Sequence, residues 1–322
     1  MTSGGGVVTF GETMALFRST SLGGLEQVSD FQLGIGGAES NVAVGLARLG
    51  TPVTWVGRVG SDSLGRRISR ELRAEGIDVR AIVDETAATG LMIKERRTSD
   101  TTRVIYYRAG SAGSRLAPED IASTEIRRAQ VLHLTGITPA LSESSAAAVD
   151  AAIDIAVAAG VAVSFDVNHR AALWAGRDAS AVYRAIAARS TIVFAGEHEA
   201  ALLVPDVAGS VEDRPHALAR AISDLGPREV IIKRGGLGAI ALVDGVAFTQ
   251  EAITIRAVDT VGAGDAFVAG YLSEHLADLA APERLATAVR TGAFACLSHG
   301  DWEGYPRRDE LDLLEAIDPV IR

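Results

Sequence analysis

The chain has 322 residues and a formal net charge of −10, from 31 Lys+Arg against 41 Asp+Glu. That acidic balance argues against general affinity for nucleic acid or anionic membrane, both of which need a basic face, and a hydrophobic content of 48% excludes disorder over the whole length. The single cysteine, Cys296, has no partner for an intramolecular bridge, so no disulfide framework is expected and a reducing cytoplasm is the expected compartment.

The first residues, Met1-Thr2-Ser3-Gly4-Gly5-Gly6, lack the charged and apolar regions of a signal peptide. Residues 7–10 read as a strand. Residues 38–49 read as a helix, with Ala38, Val42, Leu46 and Leu49 on one face. A strand over residues 53–56 follows, then a helix capped by Asp62 or Ser63, carrying Leu64, Ile68 and Leu72 at four-residue spacing and ended by Gly76. Two stretches, about 15–34 and 79–108, interrupt the alternation with strand-like runs and no helix. They predict a small β-sheet acting as a lid. Strands then recur at 131–134, 161–165, 191–194, 230–233 and 239–243. A helix is predicted over 142–159 from Val149, Ile153 and Val157, with further helices from 262 and over 282–297. The most apolar stretch, 149–165, is broken by Asp150, Asp154 and Gly160, so no bilayer span is expected. Strands alternating with helices predict an α/β fold, a parallel sheet with helices on both faces, and the whole chain is taken as one domain.

The strongest local chemical signal is Asp259-Thr260-Val261-Gly262-Ala263-Gly264-Asp265. Small residues at 262–264 let backbone N–H groups converge on an anion at a helix N-terminus. A carboxylate in that first turn would repel a phosphate unless its charge were used, and the use that fits is a general base taking a hydroxyl proton during phosphoryl transfer. The plainer alternative is a turn with a helix-stabilising acid. A second glycine site, Gly34-Ile35-Gly36-Gly37-Ala38-Glu39-Ser40-Asn41, lacks the G-x-G-x-x-G spacing of a dinucleotide fingerprint. Adjacent glycines there permit a ligand to lie on bare backbone, with Asn41 one turn in as donor and acceptor; a close helix–strand contact is the alternative.

Other segments carry polar groups in strand-like registers. In residues 103–108, Tyr106 and Arg108 fall on one face. Asp166, Asn168 and Arg170 fall at i, i+2 and i+4 near a strand end, where α/β folds place ligands. Two arginines favour an acidic substrate over a neutral sugar. The run Val230 to Ala239, containing Lys233, Gly235 and Gly238, is a strand entering a glycine turn. The six histidines show no ligand-like pairing, and Cys296 reads as packing within an apolar helix.

GGAESNVAVGLARLG at 36–50 and DTVGAGDAFVAGYL at 259–272 resemble the two signatures of the ribokinase-like (PfkB) carbohydrate kinases. The resemblance implies a parallel α/β domain with a β-sheet lid, ATP, Mg²⁺, Asp265 as base, and Gly262, Ala263 and Gly264 as the anion hole. Tyr106-Tyr107-Arg108, Asp166-Val167-Asn168-His169-Arg170 and Gly300-Asp301-Trp302-Glu303-Gly304 further resemble the 2-keto-3-deoxygluconate kinases of that family. By that resemblance Gly37, Asn41, Tyr106, Arg108, Asp166, Asn168, Arg170 and Asp301 lie on the sugar-acid side, and Gly196, Lys233, Gly235 and Gly238 on the nucleotide side. Glu199 matches the acid of the family's N-x-x-E motif, which acts on magnesium through water. The match departs at Gly196, which replaces that motif's Asn, at Met92, where a lid tyrosine is common, and at Val289, where an asparagine near the adenine pocket is common, so substrate affinity and nucleotide contacts are expected to differ. The expected activity is ATP-dependent phosphorylation of 2-keto-3-deoxygluconate; a fructokinase or ribokinase type and a non-catalytic sugar or nucleotide sensor are the alternatives. Homo-oligomers through the lid strands are expected, and a monovalent-cation site is left open.

Overall fold

The structure is a computed structural model and describes residues 5–98, 102–210 and 212–315. Its contacts divide the chain into two units: one takes in the chain through Ser40, Val53–Val163 and His169–Arg177, the other Asn41–Pro52, Ser164–Asn168 and the chain from Asp178.

In the first unit, β-branched runs form β1 (Gly5–Phe10), β4 (Val53–Gly60), β5 (Asp78–Asp84) and β8 (Ala129–Thr135), all parallel, in the order β8-β1-β4-β5. Val7 sits between Val53 and Val131, so apolar side chains line up across neighbouring strands. A separate sheet is built from β2 (Met14–Ser19), β3 (Phe31–Gly36), β6 (Leu91–Arg96) and β7 (Thr102–Tyr107), ordered β3-β2-β6-β7. Its apolar patch is Met14, Leu16 and Met92, with Val104 against it. The predicted lid stretch 79–108 is therefore divided: Asp78–Asp84 pairs with β4, and only the two later strands join the small sheet.

Helix α1 (Ala38–Arg48) follows β3. The next, α2 (Ser63–Ala74), starts where the Asp62 carboxylate accepts the Gly65 N–H at 2.8 Å, buries Ile68 and Leu72, and is followed by Gly76 at φ +85°, a left-handed residue where glycine has no steric penalty. Short helices α3 (Ser123–Arg128) and α4 (Thr138–Leu141) precede α5 (Glu143–Ala159). The Ser142 side chain caps α5, and its buried face runs through Ala148, Val149, Ala152, Ile153 and Ala156. Val157, expected on that face, is 56% exposed. A strict four-residue step turns by 400° on a helix of 3.6 residues per turn, so the third member rotates off the core.

In the second unit, β9 (Ala162–Asp166), β10 (Ile192–Gly196) and β11 (Glu229–Lys233) are parallel, while β12 (Ala239–Val243) and β13 (Val246–Gln250) complete an antiparallel edge. Asp244 and Gly245, at φ +49° and +83°, make the two-residue turn between β12 and β13. The helices are α6 (Ala179–Ala187), α7 (Glu197–Leu203), α8 (Arg214–Ser223), α9 (Ala263–Leu276) and α10 (Ala281–Ala295). Helix α9 is buried continuously from Asp265 to Glu274, which explains why it is apolar on all sides. Cys296 does not lie within α10; it caps the C-terminus and is half-buried. Among the described residues, no helix is long and apolar enough to cross a membrane.

Candidate active site

Asp265 lies in the first turn of α9, buried, and both of its oxygens accept from side-chain amides. Asn41 Nδ2 donates to Oδ2 at 2.8 Å, and Asn168 Nδ2 donates to Oδ1 at 3.2 Å. The two amides fix the direction in which the carboxylate oxygens point. Asn41 thus serves the acid directly, where the sequence suggested a polyol contact. Asn168 also donates to Asp166 Oδ2 at 3.2 Å. Strand β9 ends at Asp166, and Asn168 takes φ +40°, a left-handed conformation that asparagine tolerates. The expected alternation through Arg170 therefore stops at Asp166.

The Lys233 ammonium, at the end of β11, binds both Asp166 oxygens, at 2.7 and 2.9 Å. Burial alone would push this lysine's pKa down, but the Asp166, Glu199 and Asp265 carboxylates outweigh burial and raise it. It stays a cation. The sequence placed Asp166 on the sugar side and Lys233 on the nucleotide side; here a buried Asp166 and a half-buried Lys233 form one ion pair.

Gly262, the residue before α9, is left-handed at φ +79°, and Ala263 and Gly264 follow in the first turn. Ala263, Gly264, Lys233, Gly235 and Gly238 line a cavity of about 550 Å³. Its walls include Ile253, Ile255, Phe267, Val289 and Cys296. An apolar cleft of this size with glycine backbone and one cation in its lining suits a flat heteroaromatic ring joined to phosphates. Val289 and Cys296 both belong to this cavity, the second against the expectation of core packing. Gly238, at φ +87°, has no room for a side chain, because a Cβ would lie 2.0 Å from the Gln250 carbonyl.

Glu199 turns back to accept the Gly196 N–H at 2.7 Å, capping α7. No group of three His, Cys, Asp or Glu side chains able to hold a metal occurs among the described residues. The donors present nonetheless fit a hard cation that arrives on phosphates: Glu199 accepts from Gly196, which pairs with Lys233 across β10 and β11, and Lys233 holds Asp166, so two carboxylates gather there.

Asp301 is buried, and its carbonyl packs under Gly262, where a Cβ would come within 1.8 Å of it.

The remaining predicted residues belong to the first unit. Gly37 is explained by packing: a Cβ there would sit 2.4 Å from the Glu12 carbonyl, so the chain's own backbone occupies the space read as ligand surface. Tyr106 is 44% exposed, and the Arg108 guanidinium lies 5.7 Å from its ring centre, so the two share a face as the strand register implied. Arg108 itself is buried and paired with Glu12, a residue no motif singled out. One of the two arginine charges invoked for an acidic substrate is therefore already answered within the protein. Arg170 is exposed and donates to the His169 carbonyl at 3.1 Å. Met92 is buried opposite Tyr106 on the small sheet.

Comparison with known proteins gives the geometry a family. The family model described as pfkB family carbohydrate kinase matches residues 5–308. The 2-dehydro-3-deoxygluconokinase of Bacillus subtilis is 37% identical over 309 residues, covering 94% of this chain and 93% of that protein. The 2-dehydro-3-deoxygalactonokinase of Haloferax volcanii is 32% identical over 296 residues, 92% of each chain. Among solved structures, a putative ribokinase II from E. coli in complex with ATP and Mg²⁺ superposes with a TM-score of 0.88 at 25% identity, covering 96% of this chain and 98% of that one.

Proposed function

Because the chain belongs to the pfkB family of carbohydrate kinases, we propose that it transfers the γ-phosphoryl group of ATP to the terminal hydroxyl of 2-keto-3-deoxygluconate, giving the 6-phosphate. The phosphoryl-transfer chemistry rests on one observation above all. Asp265 is held by two buried amides at the start of α9, in the turn whose Ala263 and Gly264 line the apolar cavity. The choice of substrate rests on the 37% identity to a kinase named for that sugar acid, 2-dehydro-3-deoxygluconate being the same compound.

In this reading the adenine lies against Val289 and Phe267, and the phosphates run past Gly235 and Gly238 towards Lys233. Asp265 accepts the proton of the attacking hydroxyl, and Gly262, Ala263 and Gly264 present backbone N–H groups to the charge that builds on the transferring phosphoryl. Mg²⁺, held by the phosphates and through water by Glu199, would neutralise the phosphate oxygens. Arg108, Arg170, Tyr106 and Asp301 are assigned to the sugar acid, with the arginines orienting its carboxylate. The whole chain acts as one catalytic domain, and the small sheet serves as its lid. Use of ATP and the single cysteine favour the cytoplasm. The outer strands β3 and β7 carry the exposed Phe31 and Tyr107 and are assigned to self-association, which light scattering tests.

A second reading, a kinase of the same family for a neutral sugar, is favoured by the Glu12–Arg108 pair, which removes one net positive charge from the acid-binding argument. An ADP-release assay with Mg-ATP separates the two. The enzyme is offered 2-keto-3-deoxygluconate, its galacto epimer, gluconate, fructose and ribose at equal concentration. Preference for a keto-deoxy acid supports the proposal. Preference for fructose or ribose replaces it, and no ADP release with any of them would leave a sensor.

A further inference from the structure

The anion-hole turn is held from below by a residue outside the motifs. Gly262 can be left-handed only as glycine without strain, and the Asp301 carbonyl lies where its Cβ would be. The Gly262 carbonyl accepts two hydrogen bonds: one from the Ala266 N–H at 2.9 Å, which opens the helix, and one from the Tyr305 hydroxyl at 2.6 Å. Tyr305 is buried, with its hydroxyl directed at that carbonyl. Burial first, then the Asp265, Asp301 and Glu303 carboxylates, push its phenol well above the usual range, which keeps it a donor throughout the working pH range.

Tyr305 is itself anchored. Arg48, the last residue of α1, donates through Nη1 to three carbonyls of the same segment: Trp302 at 3.1 Å, Glu303 at 3.3 Å and Tyr305 at 2.8 Å. Its guanidinium also lies 5.1 Å from the Trp302 ring centre. Three carbonyls gathered on one cationic nitrogen fix the path of residues 302–305, and with it the position of the Tyr305 hydroxyl.

The peptide group that carries the Gly262 carbonyl also carries the Ala263 N–H, which here makes a long 3.3 Å hydrogen bond to the Thr260 carbonyl and would have to exchange that acceptor for a phosphoryl oxygen. A donor on the oxygen of a peptide holds its plane and draws electron density towards that oxygen, so its N–H becomes a better-aimed and stronger donor. We propose that Tyr305, positioned by Arg48, is a positioning residue of the phosphoryl anion hole, setting the direction and donor strength of the Ala263 N–H through the Gly262 carbonyl. The assignment rests on the reading of residues 262–264 as the anion hole. It adds to it the support that makes the hole stiff when charge develops on the phosphoryl group. The signal in the sequence is slight: Tyr305 stands one residue beyond Gly300-Asp301-Trp302-Glu303-Gly304.

The test is steady-state ADP release by the full-length protein and its Tyr305→Phe variant, with thermal melting of both. Phenylalanine keeps the buried ring and removes only the donor. Removing an anion-hole donor outright costs about 10²–10³ in kcat, so weakening one is expected to cost about tenfold. The expected result is that loss in kcat with KM for ATP and for the sugar within twofold of wild type. A merely structural role predicts a lowered melting temperature and an unchanged kcat, which would overturn the assignment. Arg48→Lys supplies a second measurement if Tyr305→Phe does not fold. It too should lower kcat while sparing both KM values, and a wild-type kcat in that variant would overturn the link. Absence of ADP release by the wild-type protein would overturn the kinase reading and this assignment together, whereas an active wild type with an equally active Tyr305→Phe would overturn the assignment alone.

Discussion

Glu12 and Arg108 meet in a buried ion pair in which one carboxylate oxygen, Oε2, accepts from Arg108 Nε at 2.7 Å and lies 2.6 Å from Nη2. The other oxygen, Oε1, accepts the Ser111 hydroxyl. Gly90 and Gly113 close over this carboxylate, since a Cβ on either would come within 2.4 Å of a Glu12 side-chain atom. The sequence therefore spends two glycines on making room for an acid whose partner is 96 residues away. The Nε donor is committed to Glu12, leaving Arg108 able to offer directed hydrogen bonds from its terminal nitrogens but little net charge.

Breaking that pair from either side should be costly. Glu12→Gln leaves a buried guanidinium without its directly paired carboxylate and is expected to lose about 3–5 kcal/mol of unfolding free energy in urea titrations, as is Arg108→Met. The double variant should lose clearly less than the sum of the two, because no charge is then stranded. Additive losses would show that the pair contributes nothing as a pair. Kinetically, Arg108→Ala should raise the apparent KM for the sugar acid about tenfold or more and leave the KM for ATP unchanged, on the scale of a hydrogen bond to a charged group. An unchanged KM for the acid would assign this arginine to structure alone.

Asp265→Asn tests the base. The isosteric amide keeps the size of the side chain but can no longer take the hydroxyl proton, so turnover should fall at least ~100-fold while nucleotide binding, measured by titration calorimetry, is retained. Near wild-type turnover would remove Asp265 from the mechanism.

Glu39 offers a pH test of stability. It is buried, and its Oε1 accepts from Thr135 Oγ1 at 2.7 Å and Thr138 Oγ1 at 2.6 Å. Burial raises its pKa; the Thr138 and Thr135 hydrogen bonds and the Arg108 charge oppose that rise without cancelling it. The folded protein thus holds this proton more tightly than the unfolded chain does. The resulting stability is complete below the ordinary glutamate range and is lost as pH rises from there through the raised folded value. Glu39→Gln keeps an acceptor oxygen for both threonines and has no proton to lose. Its melting temperature relative to wild type should therefore climb between about pH 4 and about pH 8, on either side of the ordinary value near 4.3. A constant difference across that interval would show that Glu39 does not titrate differently on folding.

What was legible in the sequence was whatever repeats locally. The Asp62 cap, the Gly76 stop, the Ser142 to Gly160 helix and the glycine turn before Asp265 all announce themselves within a few residues, because capping, periodicity and left-handed turns are short-range physics. The pairs that define the site do not. Asn41 and Asp265 are 224 residues apart, and Lys233 and Asp166 are 67 apart. No spacing rule connects a side chain to a partner delivered by another element. Asn168 misled for a related reason: strand alternation extrapolated past Asp166, whereas the chain had already turned into a left-handed residue. Gly37 was read as a ligand surface because a missing side chain looks the same whether it admits a substrate or the carbonyl of Glu12.

Cys296 gives a direct report on the nucleotide cavity, because it is the chain's one thiol and it lines the same wall as Val289. Burial, and then the Asp259 charge, raise its pKa, so the thiolate is scarce and alkylation by iodoacetamide should be slow at neutral pH and faster as pH rises. The thiol is half-buried, not sealed, so reagent can reach it. If the cavity holds the nucleotide, Mg-ATP should slow labelling several-fold, with half-protection at the concentration that half-saturates turnover, and the sugar acid alone should not. Mass spectrometry of the intact chain reads the outcome as one added carbamidomethyl group. Labelling at the same rate with and without Mg-ATP would move the nucleotide away from Val289 and Cys296, and with it the expectation that replacing asparagine by Val289 matters for adenine contacts.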